Sequence, residues 1–436
     1  MIAQCALDHY KSLGTKGKPR ELEEWTVFAA IIAQNAKSMW VVSSATGSKC
    51  TTVGPVGLCL RDMHAEVMAK RGLQRILWEE MKETCTIDNA TRLLAEKEGV
   101  YRLRDSLRLH LYISDSPCGD ATIYKLSNGN INFTGAKVIL RDCGDYGQFS
   151  HSALLSTDSH EHKLAREHIQ EIGVLRVKSG RSDLPAHLRS TSMSCSDKIL
   201  RWMILGLQGT AMRNLAPIRL SSVVVSRDPA CEVLDQQHAL ERAIKGRIKQ
   251  VIVELNEKRE RTETNADFLM DLERHHISVH VVNAVFSSSM TNLKTAVAAV
   301  AAVEPRTDQS TDLSDIYSNR KRKRDHTSST HVSPCGFCLN WNSMDSNVEV
   351  VVGARGVLQG KKAKSNADFA KLASRLCRQS MAQQSSSAGI ASTSYRSWKF
   401  GTNVQGNAIR DAVLATRPFL GWLLGNSNFE LGCNDR

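Results

Sequence analysis

The chain reads as an α/β protein: a mixed central sheet flanked by helices, with its chemically active residues at helix N-termini. Three observations predict this. A stretch at 63–81 sets Val67, Leu73, Ile76, Leu77 and Met81 on a helical period behind a His-Ala-Glu triplet. A short apolar run, Leu109-His110-Leu111-Tyr112-Ile113, leads straight into Ser-Asp-Ser-Pro-Cys-Gly-Asp, as a strand leads into a functional loop. The β-type runs Val223-Val224-Val225 and Val279-His280-Val281-Val282 are interspersed with helical stretches from Cys195 onward and across 236–253.

In chain order, residues 1–20 are set apart as an N-terminal extension and 21–436 form one large domain. Helix formers and an apolar stripe predict a helix over 21–32. A strand at 39–46 follows, ending in a turn at Gly47. After the strand at 109–113, Val138-Ile139-Leu140 is a short apolar segment, and 150–166 is polar and reads as a surface insertion. The helix begun at Cys195 runs on through 198–209, and Lys198 and Arg201 are embedded in its apolar face. Residues 306–334 are the clearest linker, low enough in hydrophobicity to predict disorder. Their basic run, Arg320-Lys321-Arg322-Lys323-Arg324, reads equally as a nuclear import signal, a phosphate-binding arm or a solvated loop. His326, His331, Cys335 and Cys338 make a weaker second His/Cys cluster. The chain has no internal repeat and no Gly-x-x-x-x-Gly-Lys-Ser/Thr phosphate loop.

Charge and compartment follow from composition. Lys and Arg (57) exceed Asp and Glu (45) by 12, and the pI is near 9.2. Such a surplus suits a polyanionic partner, and suits simple solubility equally well. The start, Met1-Ile2-Ala3-Gln4-Cys5-Ala6-Leu7-Asp8, lacks the basic region and long apolar stretch of a secretory signal. The weakly polar run at 295–303 is too short to span a bilayer. Scattered cysteines without small-domain spacing predict reduced thiols, hence a cytoplasmic and/or nuclear protein.

The chemistry rests on three strings: His64-Ala65-Glu66, Pro117-Cys118-Gly119-Asp120 and Ser194-Cys195-Ser196-Asp197-Lys198. Zinc takes imidazole and thiolate ligands in a tetrahedron, and a catalytic site leaves one position for water. His64 and Cys118 are two expected ligands. Ala121 stands where a Pro-Cys-x-x-Cys motif would carry its second thiol, so a distant cysteine must complete the set, with Cys195 the best candidate. The pKa of a water bound there falls from about 15.7 toward about 7. Glu66 would close the site as a fourth ligand and is better cast as the proton shuttle. A lone His-x-Glu is commonly a surface helix turn, and a lone Pro-Cys-Gly a loop before a buried thiol. In this order, with the strand at 109–113 leading in, they point to one site.

These strings, with Leu111-Tyr112-Ile113-Ser114-Asp115-Ser116-Pro117-Cys118-Gly119-Asp120 and Met193-Ser194-Cys195-Ser196-Asp197-Lys198-Ile199, resemble the adenosine deaminases acting on RNA and tRNA. Arg375-Leu376-Cys377-Arg378 and Phe419-Leu420-Gly421-Trp422 look like that family's C-terminal landmarks, and the resemblance runs from about residue 24 to 429. It implies a cytidine-deaminase-like fold in a single adenosine-to-inosine editase domain, with one catalytic zinc and hydrolytic loss of ammonia. Within the family the chain is similar to the tRNA-acting branch. Its opening, Gly17-Lys18-Pro19-Arg20 to Glu24-Trp25-Thr26, leaves no room for double-stranded-RNA-binding domains. The stretch Lys178-Ser179-Gly180-Arg181-Ser182-Asp183-Leu184-Pro185 lacks the acidic base-flipping finger of the duplex editors. A loop base is already accessible, whereas flipping from a duplex costs a few kcal/mol. The branch's substrate is the adenosine just 3′ of the anticodon, position 37, of alanine tRNA.

By the same resemblance Ser48 and Lys49 approach the target nucleotide, Lys49 as a phosphate contact. The family also buries inositol hexakisphosphate, at positions matching Lys70, Arg71, Lys198, Arg201, Trp202, Arg378, Tyr395, Lys399 and Trp422. Asp62 and Lys178 resemble a relay from that pocket to Cys195. Where the family often has a further Tyr and Lys, this chain has Gln405 and a nearby Arg410. The expected partner is tRNA, with neither DNA nor membrane, acting on a monomeric enzyme. Two rivals stand beside this reading: a deaminase of other structured or double-stranded RNA, and a catalytically silent, zinc-stabilised RNA-binding relative. An intact Glu66 argues against the second.

Overall fold

The structure is a computed structural model describing residues 1–82, 84–85, 87–132, 135–138, 171–178, 185, 189–257, 266–303, 332–386, 394–401 and 404–423. Ten strands position the site: β1 (Phe28–Gln34), β2 (Met39–Thr46), β3 (Ser48–Cys50), β4 (Asp62–His64), β5 (Arg108–Ile113), β6 (Ser222–Ser226), β7 (Ser278–Val282), β8 (Phe337–Asn342), β9 (Asp345–Val352) and β10 (Val357–Leu358). Eight helices matter with them: α1 (Ile2–Ser12), α2 (Ala65–Glu80), α3 (Cys195–Leu205), α4 (Val233–Glu241), α5 (Arg247–Glu257), α6 (Arg378–Ser386), α7 (Tyr395–Phe400) and α8 (Val404–Leu414).

Eight strands form one mixed sheet in the order β7-β6-β5-β1-β2-β8-β9-β10. The run β7-β6-β5 is parallel, and every pairing from β5 through β1 to β10 is antiparallel. The expected mixed sheet flanked by helices is therefore what forms. Its two faces bury alternate residues of the same strands. Ala29, Ile31, Ala33, Leu111, Ile113, Val223 and Val225 face the core shared with α2 and α3. Phe28, Ala30, Ile32, Tyr112 and Val224 face Ala6, Leu7 and Tyr10 of α1.

Burial on both faces explains a sequence expectation that fails. Residues 21–32 do not form a helix. They give a turn, the two-residue strand Glu24–Trp25, and then β1, which pairs with β2 and β5. A strand covered on both sides carries an unbroken apolar run with no alternation to mark it. Its alanines then read as helix formers, and only pairing in the sheet decides. Residues 1–20, read as an extension, contribute α1 to the second core layer. Tyr10 packs its ring against Phe28 and Phe286 at centroid distances of 4.9 Å each. Lys18 Nζ donates to the Tyr10 and Leu13 carbonyls, at 2.8 and 2.7 Å, closing the end of that helix. The predicted strand at 39–46, the helix at 63–81 and the strand at 109–113 appear as β2, α2 and β5.

The insertion at 150–166, the segment 139–140, the run 320–324 and the residues His326 and His331 lie outside the described residues. Of the linker 306–334 only 332–334 are described, and Ser333–Pro334 pairs in parallel with Glu24–Trp25. Among the described residues no helix is long and apolar enough to cross a membrane.

Two outcomes follow for the α1 layer. Phe28 is fully buried, so Phe28→Ala should cost about 3–5 kcal/mol in urea unfolding. The His9 ring packs against Trp341 in a tilted arrangement, centroids 4.3 Å apart, and meets Ser44 Oγ through Nε2 at 2.9 Å. Burial, helped by the Lys18 charge, lowers its pKa from 6.5 to about 4. The folded state thus holds His9 neutral while the unfolded chain takes up a proton. That contribution to stability is present above about pH 6.5 and is lost as pH falls toward 4. The urea midpoint of wild type should fall across this window more steeply than that of His9→Gln.

Candidate active site

β3 and β4 form an antiparallel ribbon in which Ser48 faces His64, Lys49 faces Met63 and Cys50 faces Asp62. β4 runs directly into α2, so His64 is the helix N-cap and Glu66 sits in the first turn. The ribbon closes through Gly47, whose carbonyl accepts from Ala65 N at 3.0 Å. At φ +141°, a Cβ on Gly47 would lie 2.2 Å from the Met63 carbonyl oxygen, so only glycine fits. Cys195 is the first residue of α3, whose N-cap Ser194 accepts from Asp197 N at 3.2 Å. Cys118 lies in the loop after β5 and is stitched to α3 by Ser196. The Ser196 hydroxyl donates toward the Pro117 and Cys118 carbonyls at 2.9 Å and accepts from Ala121 N at 3.1 Å.

Two helix N-termini and a strand-end loop therefore bring the expected ligands together. The ligand atoms of His64, Cys118 and Cys195 all lie within 4.8 Å of one another, with Cys118 Sγ 3.8 Å from His64 Nδ1. Zinc bonds of about 2.3 Å to sulfur and about 2.0–2.1 Å to nitrogen set tetrahedral donors roughly 3.5–3.8 Å apart, so the trio fits the ion. Burial, then the adjoining Cys118 and the Glu66 carboxylate, push the Cys195 thiol well above its ordinary range, against the pull of Lys178. Crowded buried thiols lose their protons readily only beside a cation, which a metal supplies. Glu66 is 2 % exposed, and its Oε2 accepts from Cys195 Sγ at 3.4 Å, at the edge of the trio. A second group, Cys50, Asp62 and His64, also lies within metal-ligating range, but its carboxylate is already engaged.

That carboxylate gathers cations. Asp62 accepts from Lys178 Nζ at 2.7 Å, from Ser192 Oγ at 2.6 Å and from Lys198 Nζ. Burial raises its pKa, but Lys178 and Lys198 overcome this and hold it well below the carboxylate range. Lys178 Nζ also donates to Cys195 Sγ at 3.3 Å, so Asp62, Lys178 and Cys195 are in continuous contact.

Beyond Lys198 lies a half-buried cluster of cations. Lys70 Nζ sits 5.8 Å from the Trp202 ring centre, Arg201 lies over Trp422 at 5.0 Å, and Arg378 and Lys399 lie over Tyr395 at 5.0 and 5.6 Å. Arg71 donates to the Leu376 carbonyl at 2.7 Å. Burial, and then Arg71, Arg201, Lys399 and Lys198, hold Lys70 well below the usual ammonium range. Burial and Arg410 bring Arg201 down to about 10. Every charge named on Lys70 is positive, a repulsive arrangement that a buried polyanion would neutralise. The donor set fits a polyphosphate.

The expected metal ligands, shuttle, relay and polyphosphate residues fall into three adjoining places: His64, Glu66, Cys118 and Cys195; Asp62 and Lys178; and the cation cluster. Ser48 and Lys49 lie on the strand facing His64. Sequence reasoning missed several neighbours. Cys50 Sγ lies within 4.8 Å of a His64 ring nitrogen. Asp197 accepts from Arg247 at 2.7 Å in a fully buried ion pair. Asp115 is pushed up to about 8 by burial, then by Asp228 and Glu66, with Ser114 opposing. Ser196 and Asp197 lay inside a recognised string, but nothing local announced their partners. Cys335 and Cys338, from the weaker cluster, are buried and belong to neither metal-ligating group.

Gly119 offers a direct check. At φ +108°, a Cβ there would lie 2.2 Å from Ser194 Oγ, between the Cys118 loop and α3. Gly119→Ala should separate Cys118 from Cys195 and weaken zinc retention against a chelator by on the order of 10–100-fold.

Comparison with known proteins agrees with this geometry. The adenosine-deaminase (editase) domain family matches residues 43–399. Tested against individual proteins, the chain is 32 % identical over 263 residues to tRNA-specific adenosine deaminase 1 of Drosophila melanogaster, covering 56 % of this chain and 57 % of that protein. It is 26 % identical over 356 residues to tRNA-specific adenosine deaminase 1 of Homo sapiens, covering 57 % and 69 %. The double-stranded RNA-specific editase Adar of Drosophila melanogaster is 28 % identical over 234 residues, covering 49 % and 30 %. The match thus spans little more than half the length of the fly deaminase. With its ligand trio, glutamate and matched span in agreement, the chain belongs to the adenosine-deaminase (editase) domain family.

Proposed function

We propose that the protein converts adenosine to inosine in tRNA by zinc-dependent hydrolysis, at the position 3′ of the anticodon (position 37) of alanine tRNA. The observation that carries this is the convergence of His64, Cys118 and Cys195 with the buried Glu66 carboxylate at 3.4 Å from one of the sulfurs. The tRNA assignment is supported by the similarity to tRNA-specific deaminases of fly and human. When bound by the three ligands, zinc supplies the Lewis acidity that makes water nucleophilic near neutral pH. Glu66 takes a proton from the water attacking C6 of the purine and delivers it to the ring nitrogen, then passes the proton of the new C6 hydroxyl to the departing amine. The C6–N bond breaks, a C6–O bond forms, and water plus adenosine become inosine plus ammonia.

The cation cluster supports a second component, a buried inositol hexakisphosphate. Lys70, Arg71, Arg201, Arg378 and Lys399 would hold its phosphates, and Trp202, Tyr395 and Trp422 would line its pocket. Arg410, next to Arg201, adds a cation where the family pattern differs. Lys198 would connect this anion to Asp62 and so to Lys178 and Cys195. We propose further that the enzyme is monomeric and acts in the cytoplasm and/or nucleus without DNA as substrate.

On purified alanine tRNA, wild type should form inosine beside the anticodon, and Glu66→Gln with zinc still bound should lose about 10²–10⁴-fold in rate. Near-normal activity of that variant would remove Glu66 from the chemistry, and inosine on hairpin duplexes but not on tRNA would move the substrate to duplex RNA. Denatured wild-type protein should release about one equivalent of a phosphate-rich small molecule, read by mass spectrometry. Release of none would overturn the polyphosphate pocket.

A further inference from the structure

The turn of the hairpin β9–β10, residues 353–356, lies against the ribbon that carries His64, although no residue of that turn takes part in the chemistry above. Thr51 Oγ1 donates to the Ala354 carbonyl at 3.0 Å, and Leu60 N donates to the Gly356 carbonyl at 2.8 Å. The Lys49 stem packs on Gly353, where an added Cβ would approach it to 3.0 Å. Gly356 sits at φ +68°, and a Cβ there would lie 2.1 Å from the Leu60 carbonyl oxygen. The two segments are pressed together through backbone, so the hairpin is fixed relative to the strand facing His64.

The chain leaving this hairpin carries Lys361, Lys362 and Lys364, all exposed. None of the ion pairs among the described residues involves them, whereas other exposed cations pair with a carboxylate three or four residues away, as Lys11 with Asp8, Arg20 with Glu23 and Lys245 with Glu241. The nearest acid in sequence, Asp368, has its carboxylate occupied by the backbone N–H groups of Lys364 and Ser365, each at 3.0 Å. The backbone here is also held: Gln359 N donates to the Val350 carbonyl at 2.8 Å, Leu358 N to the Leu372 carbonyl at 2.8 Å, and Ser365 and Asp368 complete a capping box. A solvated charge run needs no such anchoring. Exposed lysines without acidic partners among the described residues, on an anchored loop, match the repeating negative charge of a nucleic-acid backbone.

We infer that the loop at 359–364 is a phosphate-binding rim that docks the RNA backbone flanking the target nucleotide, with Lys361 and Lys362 as its principal contacts. This rests on the reading of the protein as an RNA adenosine deaminase. Phosphate contacts of this kind position a substrate without reading its bases. The rim therefore governs how tightly RNA is held and how strongly salt competes, and leaves the chemical step untouched.

The test uses the full chain with Lys361→Glu/Lys362→Glu and the milder Lys361→Ala/Lys362→Ala, with zinc content and thermal midpoint confirming that both fold. Binding and deamination of alanine tRNA are measured between 50 and 200 mM salt. The alanine variant should bind about 10-fold more weakly, the glutamate variant more weakly still, and kcat at saturating RNA should stay at the wild-type value. The slope of log Kd against log salt should shallow by roughly 1.4–1.8 in the alanine variant, about 0.7–0.9 for each lost phosphate contact. Unchanged affinity and slope in both variants, while wild type binds and deaminates RNA, would overturn the rim alone, as would a loss of affinity for anionic vesicles with none for RNA. Wild type that neither binds nor deaminates RNA would overturn the functional reading and the rim with it.

Discussion

The buried carboxylate of Asp62 is the interaction on which the site depends. It holds two ammonium groups, Lys178 and Lys198, and the Ser192 hydroxyl in one place. Those partners come from segments more than a hundred residues away in the chain, and Asp62 itself is two residues from His64. Removing one member of a buried ion pair commonly costs about 3–5 kcal/mol, because the survivor is left uncompensated. Here two cations would be stranded. Lys178 touches the Cys195 sulfur, and Lys198 lies among the charges bearing on Lys70. One carboxylate therefore ties the histidine–cysteine trio to the cation cluster.

Around that hub the sheet acts as a register. β5 delivers the Cys118 loop, while β4 and the first turn of α2 deliver His64 and Glu66. α3 enters from the same side, led by Cys195 and clasped to the Cys118 loop through Ser196. α3 is fixed in turn by the Arg247–Asp197 pair, with Asp197 also accepting from Arg176 N at 2.9 Å. Helix N-termini stabilise negative charge, so thiolate and carboxylate at these positions gain from the fold itself. The opposite face of the sheet is closed by α1 and plays no direct part in the chemistry.

Positive charge serves two separate ends in this molecule, and burial distinguishes them. Lys70, Arg71, Arg201 and Lys399 are half-buried, where repulsion is less screened than in solvent and a counter-anion would relieve it. Lys361, Lys362 and Lys364 lie in solvent, where salt screens them and a partner can come and go. The first set suits a component sealed in during folding, the second a substrate that must be released.

The sequence by itself determined the donor types and their order: a histidine two residues before a glutamate at a helix start, a cysteine after a strand, and a cysteine opening a second helix. These are local patterns, since strand periodicity and helix starts are written within a few residues. The sheet's central strand was not legible, because burial of β1 on both faces erased the alternation that would have separated it from a helix. Nor were the partners of Asp62, Asp197 and Ser196, or the approach of Cys50 to His64. Ion pairs and hydrogen bonds between segments far apart in the chain leave no periodic trace, and only tertiary packing, by bringing those segments into a shared low-dielectric interior, decided which charge answers which.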